Sequence, residues 1–187
     1  ASCINSGYDK LTVKQYKSAH KGKLPPQDFN DSAWVHWRLD ILNNFGKQLY
    51  KKVKAKRAGI MVSFAPNPFP WCRDHLMQDW PQWAADGICD VLAVQCYRRD
   101  SASYRNTVIQ AQSYLPINKK KKQIFAPGIL LMVSGKISDA EDVKNQLLIN
   151  RQLKTDGEIF FYNEGLKDQN IIATIKEVYS EKATFPK

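Results

Sequence analysis

Hydrophobic positions along the chain change their period several times, and each change marks an element. The longest regular stretch is 32–56, where Trp34, Trp37, Ile41, Leu42, Phe45, Leu49 and Val53 recur every three or four residues, as one face of an α-helix requires. Asn30, Asp31 and Ser32 stand just ahead of it, each able to accept a hydrogen bond from the free N–H groups of a first turn. A shorter helix is predicted over 11–19, ended by His20-Lys21-Gly22 and then by Leu24-Pro25-Pro26. Others follow over 78–86, which carries Trp80 and Trp83 and stops at Gly87, and over 101–115, with Ser101 as its cap and Pro116 closing it. Two more run over 138–153 and 168–179; the first opens on Ser138-Asp139-Ala140-Glu141, which has the spacing of a capping box. Between the helices lie short apolar runs at 58–64, 90–97, 123–131 and 157–162, read as strands. Residues 65–71 form a loop, because Pro66, Pro68 and Pro70 forbid a regular ladder.

Helix alternating with strand over short connections is the pattern of parallel βα units. The strands are apolar on both sides of the pleat, as a parallel sheet covered on both faces requires. No Gly-x-Gly-x-x-Gly or phosphate-binding loop follows any strand, so a nucleotide-binding fold has no support. Two architectures remain, an open doubly wound sheet or part of a (β/α)8 barrel. A full barrel takes about 250 residues and eight strands. Four strands in 187 residues are half of one. The chain reads as a single domain over 1–187, in which 1–31 is irregular apart from one short helix.

Composition refines this picture. The 28 Lys and Arg outnumber the 18 Asp and Glu, for a net charge of +10. Two basic clusters stand out, Lys47 to Arg57 at the end of the long helix and Lys119 to Lys122 before a strand. Both lie at the amino ends of the strands, away from the end where parallel sheets bind ligands. No nucleic-acid-binding module accompanies them, so they read as a solvated face. The four cysteines include no CxxC pair, which excludes the common zinc and redox motifs; Cys96, in an apolar strand, reads as a buried thiol. No apolar run is long enough for a membrane span. The first residue is Ala1 rather than Met, which suggests processing or excision from a longer chain.

The carboxyl ends of the strands supply Ser63 and Asn67 with Trp71 in the loop beyond, then Gln95, Tyr97 and Arg98, and finally Tyr162 and Glu164. Flat Trp and Tyr faces stack on sugar rings, and Asn, Gln and Arg hydrogen-bond to hydroxyls. Glu164 is the best-placed carboxylate; Asp74, Asp79 and Asp100 serve equally well as caps or ion-pair partners. Glycoside hydrolysis uses two carboxyl groups about 5 to 9.5 Å apart, and needs no cofactor. No metal-ligand spacing is present.

In order and spacing, Gly7-Tyr8-Asp9, Pro25-Pro26, Trp34-Val35-His36-Trp37-Arg38-Leu39-Asp40, Ser63-Phe64-Ala65-Pro66-Asn67-Pro68, Gln78-Asp79-Trp80, Val94-Gln95-Cys96-Tyr97-Arg98 and Phe160-Phe161-Tyr162-Asn163-Glu164 resemble the glycosyl hydrolase-like 10 family. The likeness runs from about Gly7 to Leu166. It implies a (β/α)8 barrel of TIM type of which the last four βα units are present. It also implies hydrolysis of O-glycosidic bonds in a polysaccharide, and an envelope or secreted location. Glu164 would then be catalytic, and Ser63, Asn67, Trp71, Gln95, Tyr97, Arg98 and Tyr162 would bind substrate. The family carries its presumed acid pair on a strand just upstream of the Gly7 position, where this sequence has Ala1 to Ser6 and no acid. The expectation is therefore a chain incomplete for catalysis, completed by the N-terminal half of the barrel or by homodimerisation. A non-catalytic carbohydrate-binding half barrel and a basic polyanion-binding module are the alternatives.

Overall fold

The computed structural model describes residues 5–116, 123–182 and 184. The basic cluster Lys119 to Lys122, and Cys3, lie outside them. The chain opens with α1 (Lys10–Ala19), whose first N–H groups bond to the Asp9 carboxylate, and α2 (Ser32–Lys56), capped by Asp31 through Trp34 N. β1 (Ser63–Phe64), α3 (Trp71–Leu76) and α4 (Trp80–Ala85) follow, then β2 (Val91–Leu92) and α5 (Ser101–Ser113). β3 (Ile124–Phe125) and β4 (Gly128–Leu130) lead into a hairpin of β5 (Met132–Val133) and β6 (Lys136–Ile137). α6 (Ala140–Gln152), β7 (Ile159–Phe161), a 3-10 turn (Asn163–Lys167) and α7 (Gln169–Val178) complete the described chain.

All strands except the hairpin pair in parallel: β1 with β2, β2 with β3, and β4 with β7. The run expected as one strand over 123–131 is thus two, and Pro127 is the reason. Ala126 N and Gly128 N donate to Leu92 and Val94 on one side. On the other side Phe125 N donates to the Asp156 carboxylate, and Pro127 has no N–H to give. Toward β7 the Pro127 carbonyl accepts from Ile159 N at 3.2 Å, and residue pairing runs from Gly128. The strand expected over 58–64 shrinks to two residues because the Lys54 ammonium binds the Ala58 and Ile60 carbonyls, holding that stretch against α2.

Two further expectations are corrected. α6 is capped by Asp139, whose carboxylate accepts from Glu141 N and Asp142 N, while the Ser138 hydroxyl is buried and donates to Leu130 O at 2.6 Å. α5 is capped by Asp100 rather than Ser101. In both cases an ionised acceptor displaces a hydroxyl from the cap. Residues 71–76, beyond the proline-rich loop, form α3, which the sequence pattern did not reveal.

The core lies between the sheet and the helices that follow its strands. Trp80, Leu92, Val94, Cys96, Tyr104, Val108, Ile129, Leu131, Val143 and Leu147 are almost wholly buried in one cluster. Trp80 and Trp83 are core residues, as their helical spacing predicts. The opposite face of the sheet is not covered as expected. Met61, Ser63, Val91, Ile124, Ala126 and Ile159 line an open cavity of about 700 Å³ there.

One buried polar chain crosses the core. Tyr104 OH donates to Asn150 Oδ1 at 3.0 Å, Asn150 Nδ2 reaches Glu158 Oε2, and Glu158 Oε1 is buried without a partner. Burial pushes the Glu158 carboxyl above the ordinary glutamate value of 4.5, against weaker pulls from Asn150 and Arg151. The folded state thus favours the neutral acid, and its contribution to stability is lost as pH rises through the raised value. Glu158→Gln is expected to be more stable than the parent at pH 8 and indistinguishable from it at pH 4 in thermal melts. An equal offset at both values would mean that ionisation has no part in it.

Candidate functional site

The carboxyl ends of the parallel strands are fastened to one another by the extended backbone. Pro66 O accepts from Gln95 N at 2.8 Å, and Val94 O accepts from Gly128 N at 2.8 Å. The Gln95 amide crosses to Ala65 O. Gln95 thus bridges β1 and β2 with its side chain as well as its backbone. Asn67 is held on both sides: its N–H donates to Gln78 Oε1, and its carbonyl accepts from the buried Trp80 indole at 3.2 Å.

Beyond β2, the Tyr97 ring lies on Phe161 at the end of β7, with centroids 4.9 Å apart and planes 26° from parallel. Phe161 in turn meets Tyr162 at 5.4 Å. Phe161 and Tyr162 are both about two-fifths exposed, so the stack presents an aromatic surface to solvent. Gly128 makes room for it: a Cβ there would come within 2.7 Å of Tyr97 Cε1. Burial raises the Tyr97 hydroxyl pKa, so it remains a neutral donor. The Arg98 guanidinium donates to Tyr97 O at 2.7 Å, and Arg98 O is anchored by the Gln146 amide.

Glu164 sits on the 3-10 turn two residues past Tyr162, half-exposed, and accepts from the Lys167 ammonium at 2.8 Å. Asp74 pairs with Arg73 at 2.8 Å, and Asp100 is committed to its cap, where the Ser103 N–H holds its pKa below the ordinary range. Asp79 stands at the N-cap position of α4, and burial raises its pKa.

The expected residues therefore divide. Tyr97, Arg98, Tyr162 and Glu164 gather around the β2 and β7 ends. Trp71 opens α3, is 52% exposed and stacks on His75 at 4.8 Å. Ser63 instead lines the cavity on the uncovered sheet face, together with residues from the amino ends of the strands. Phe161 and His75 were not among the residues expected at the site. Phe161 was hidden in an apolar run, and a glycine opening a strand was the one available sign of close approach. Among the described residues no cluster of three or more His, Cys, Asp or Glu could hold a metal ion, and no helix is long and apolar enough to cross a membrane.

The sequence model of the family described as glycosyl hydrolase-like 10 matches residues 2–132. The chain belongs to that family. The matched span of this glycosyl hydrolase-like 10 protein includes Ser63, Asn67, Trp71, Gln95, Tyr97 and Arg98, and ends before Phe161, Tyr162 and Glu164. No curated protein matches its sequence. Its fold is similar to the PgaB (BpsB) glycoside hydrolase domain from Bordetella bronchiseptica, with a TM-score of 0.65 and 13% identity over 94% of this chain and 53% of that one. It is also similar to bee venom hyaluronidase, solved in complex with a hyaluronic acid tetramer, with a TM-score of 0.59 and 14% identity over 92% of this chain and 60% of that one. The chain thus spans between half and three-fifths of the structures it matches.

Proposed function

We propose that this glycosyl hydrolase-like 10 chain forms the last four βα units of a (β/α)8 barrel and supplies the substrate-binding side of a polysaccharide-hydrolysing site. The observation that carries the reading is the exposed Tyr97–Phe161–Tyr162 stack at the carboxyl ends of parallel strands. That is the end at which such sheets take their ligands, and aromatic faces there suit the apolar faces of sugar rings. Trp71 offers a second stacking surface, and Asn67, Gln95 and Arg98 offer hydrogen bonds. In this proposal Glu164 acts as a carboxylate toward the glycosidic bond only after Lys167 releases it, with the paired acid supplied from outside these 187 residues. The glycoside hydrolase structures of similar fold support a carbohydrate ligand.

A second reading is a carbohydrate-binding half barrel without chemistry, favoured by the ion pair that occupies Glu164. One experiment separates the readings. The purified chain is assayed for binding and cleavage of a polysaccharide panel beside Tyr97→Ala, Trp71→Ala and Glu164→Gln. Loss of one stacking surface is expected to weaken binding on the order of tenfold. Binding that survives both aromatic substitutions removes the site assignment. Cleavage that survives Glu164→Gln removes the role of Glu164, and binding without cleavage selects the second reading.

A further inference from the structure

The cations at the ligand-binding end of the sheet are unevenly neutralised. Arg73 is paired with Asp74, and Lys167 with Glu164. Arg98 and Arg99, directly after the Tyr97 ring, have no ion pair among the described residues. Asp100, the N-cap of α5, and Asp142, in the first turn of α6, are engaged elsewhere. Asp100 Oδ1 accepts from Ser103 N at 2.8 Å, and Asp142 Oδ1 accepts from the Ser101 hydroxyl at 3.1 Å. Arg98 is half-buried, and its guanidinium makes one hydrogen bond, to Tyr97 O. A guanidinium has five N–H donors in a planar fork, a geometry matched to carboxylate, sulfate and phosphate oxygens. The pair also stands apart from the Lys51, Lys52, Lys56 and Arg57 cluster, which lies at the far end of α2 beside the amino ends of the strands.

We propose that the glycan bound at the Tyr97–Phe161 stack is anionic, its acidic groups received by Arg98 and Arg99. This rests on the carbohydrate reading above and names the class of sugar: a uronic acid or sulfated polymer. The stack holds a ring face, and the two guanidinium groups select rings that carry negative charge. Charge-assisted hydrogen bonds of this kind are worth about tenfold or more in affinity each.

The test measures binding of the intact chain to polygalacturonate, dextran sulfate, neutral dextran and duplex DNA, in low and moderate salt. The variants are Arg98→Gln/Arg99→Gln and, as a control basic face, Lys51→Gln/Lys52→Gln/Lys56→Gln. The expected result is preference for a charged glycan over neutral dextran by at least tenfold, removed by the arginine variant and retained in the lysine variant. Polygalacturonate and dextran sulfate distinguish carboxylate from sulfate recognition. Equal binding of neutral and charged glycans overturns this inference and leaves the carbohydrate reading standing. Binding of charged polymers that is lost in the lysine variant, or DNA binding as tight as glycan binding, overturns it in favour of unspecific charge attraction. Binding to no glycan removes both. A circular dichroism melt of the arginine variant matching the parent separates lost contact from lost fold.

Discussion

Asp90→Ala is expected to lower the unfolding free energy by about 3–5 kcal/mol, the usual result of removing one member of a buried charge pair. Asp90 is 6% exposed. One carboxylate oxygen accepts from Val62 N at 2.7 Å and from the Lys54 ammonium at 2.7 Å; the other accepts from Tyr50 OH at 3.1 Å. Three segments therefore meet on one side chain: the last turns of α2, the approach to β1 and the start of β2. Alanine leaves a backbone N–H, a phenol and an ammonium facing a hole. Small domains hold only about 5–15 kcal/mol in total, so a loss of this size removes a large part of the protein's stability. Lys54→Met is expected to cost less, because Asp90 keeps Tyr50 and Val62. Urea unfolding of the two variants gives the comparison. A parent-like midpoint for Asp90→Ala would show that the junction contributes nothing.

Trp80→Ala is expected to cost about 3–5 kcal/mol through the cavity it leaves, and to loosen the loop around Asn67 as well. The Trp80 ring is wholly buried, meets Phe69 edge-on at 6.0 Å and Tyr114 at 6.3 Å, and its indole N–H holds the Asn67 carbonyl. Trp80→Phe keeps most of the volume and loses chiefly that bond, for about 1 kcal/mol. Hydrogen exchange at the Asn67 amide, which is bonded to Gln78, is expected to accelerate in the alanine variant beyond the global change. If alanine costs no more than phenylalanine, the ring is not the support of this loop.

How far the sequence revealed these features depended on how each is encoded. The bounds of α2 were legible from its period, but the face it buries is Trp34, Arg38, Leu39, Asn43 and Gly46, while Ile41, Phe45 and Leu49 stay exposed. The helices α5, α6 and α7 were placed to within a residue or two, but the first two caps were shifted by one position. In Ser-Asp and Asp-Ser pairs, both residues have capping oxygens, and only the folded chain shows which is free to turn inward. Strand positions were legible and their lengths were not. Lys54 and Pro127 shorten them through a side-chain contact and a missing donor, neither of which changes hydrophobic period. The β5–β6 hairpin turns on Ser134 and Gly135, both with positive φ, a weak signal between two apolar runs. Tyr97, Arg98, Tyr162 and Glu164 were named by one rule, that ligands gather beyond the carboxyl ends of parallel strands, and the fold places them around the β2 and β7 ends. Ser63, named by the same rule, lies in β1 and lines the cavity on the uncovered sheet face. Phe161 shows the converse limit: an aromatic residue in a strand reads as core until the neighbouring ring it stacks on is known.

Two buried cysteines next to the aromatic residues of this site report on its opening over time. Burial pushes the thiols of Cys72 and Cys96 up to about 12, and the Cys72 Sγ is further occupied in donating to Gln78 O at 3.1 Å. Alkylating reagents attack the thiolate, which is scarce at neutral pH in groups with such values. Modification of either cysteine must then wait for the surrounding segment to open. Cys72 lies on α3 directly after Trp71, and Cys96 directly before Tyr97, so each thiol serves as a clock for the breathing of one of the two aromatic surfaces.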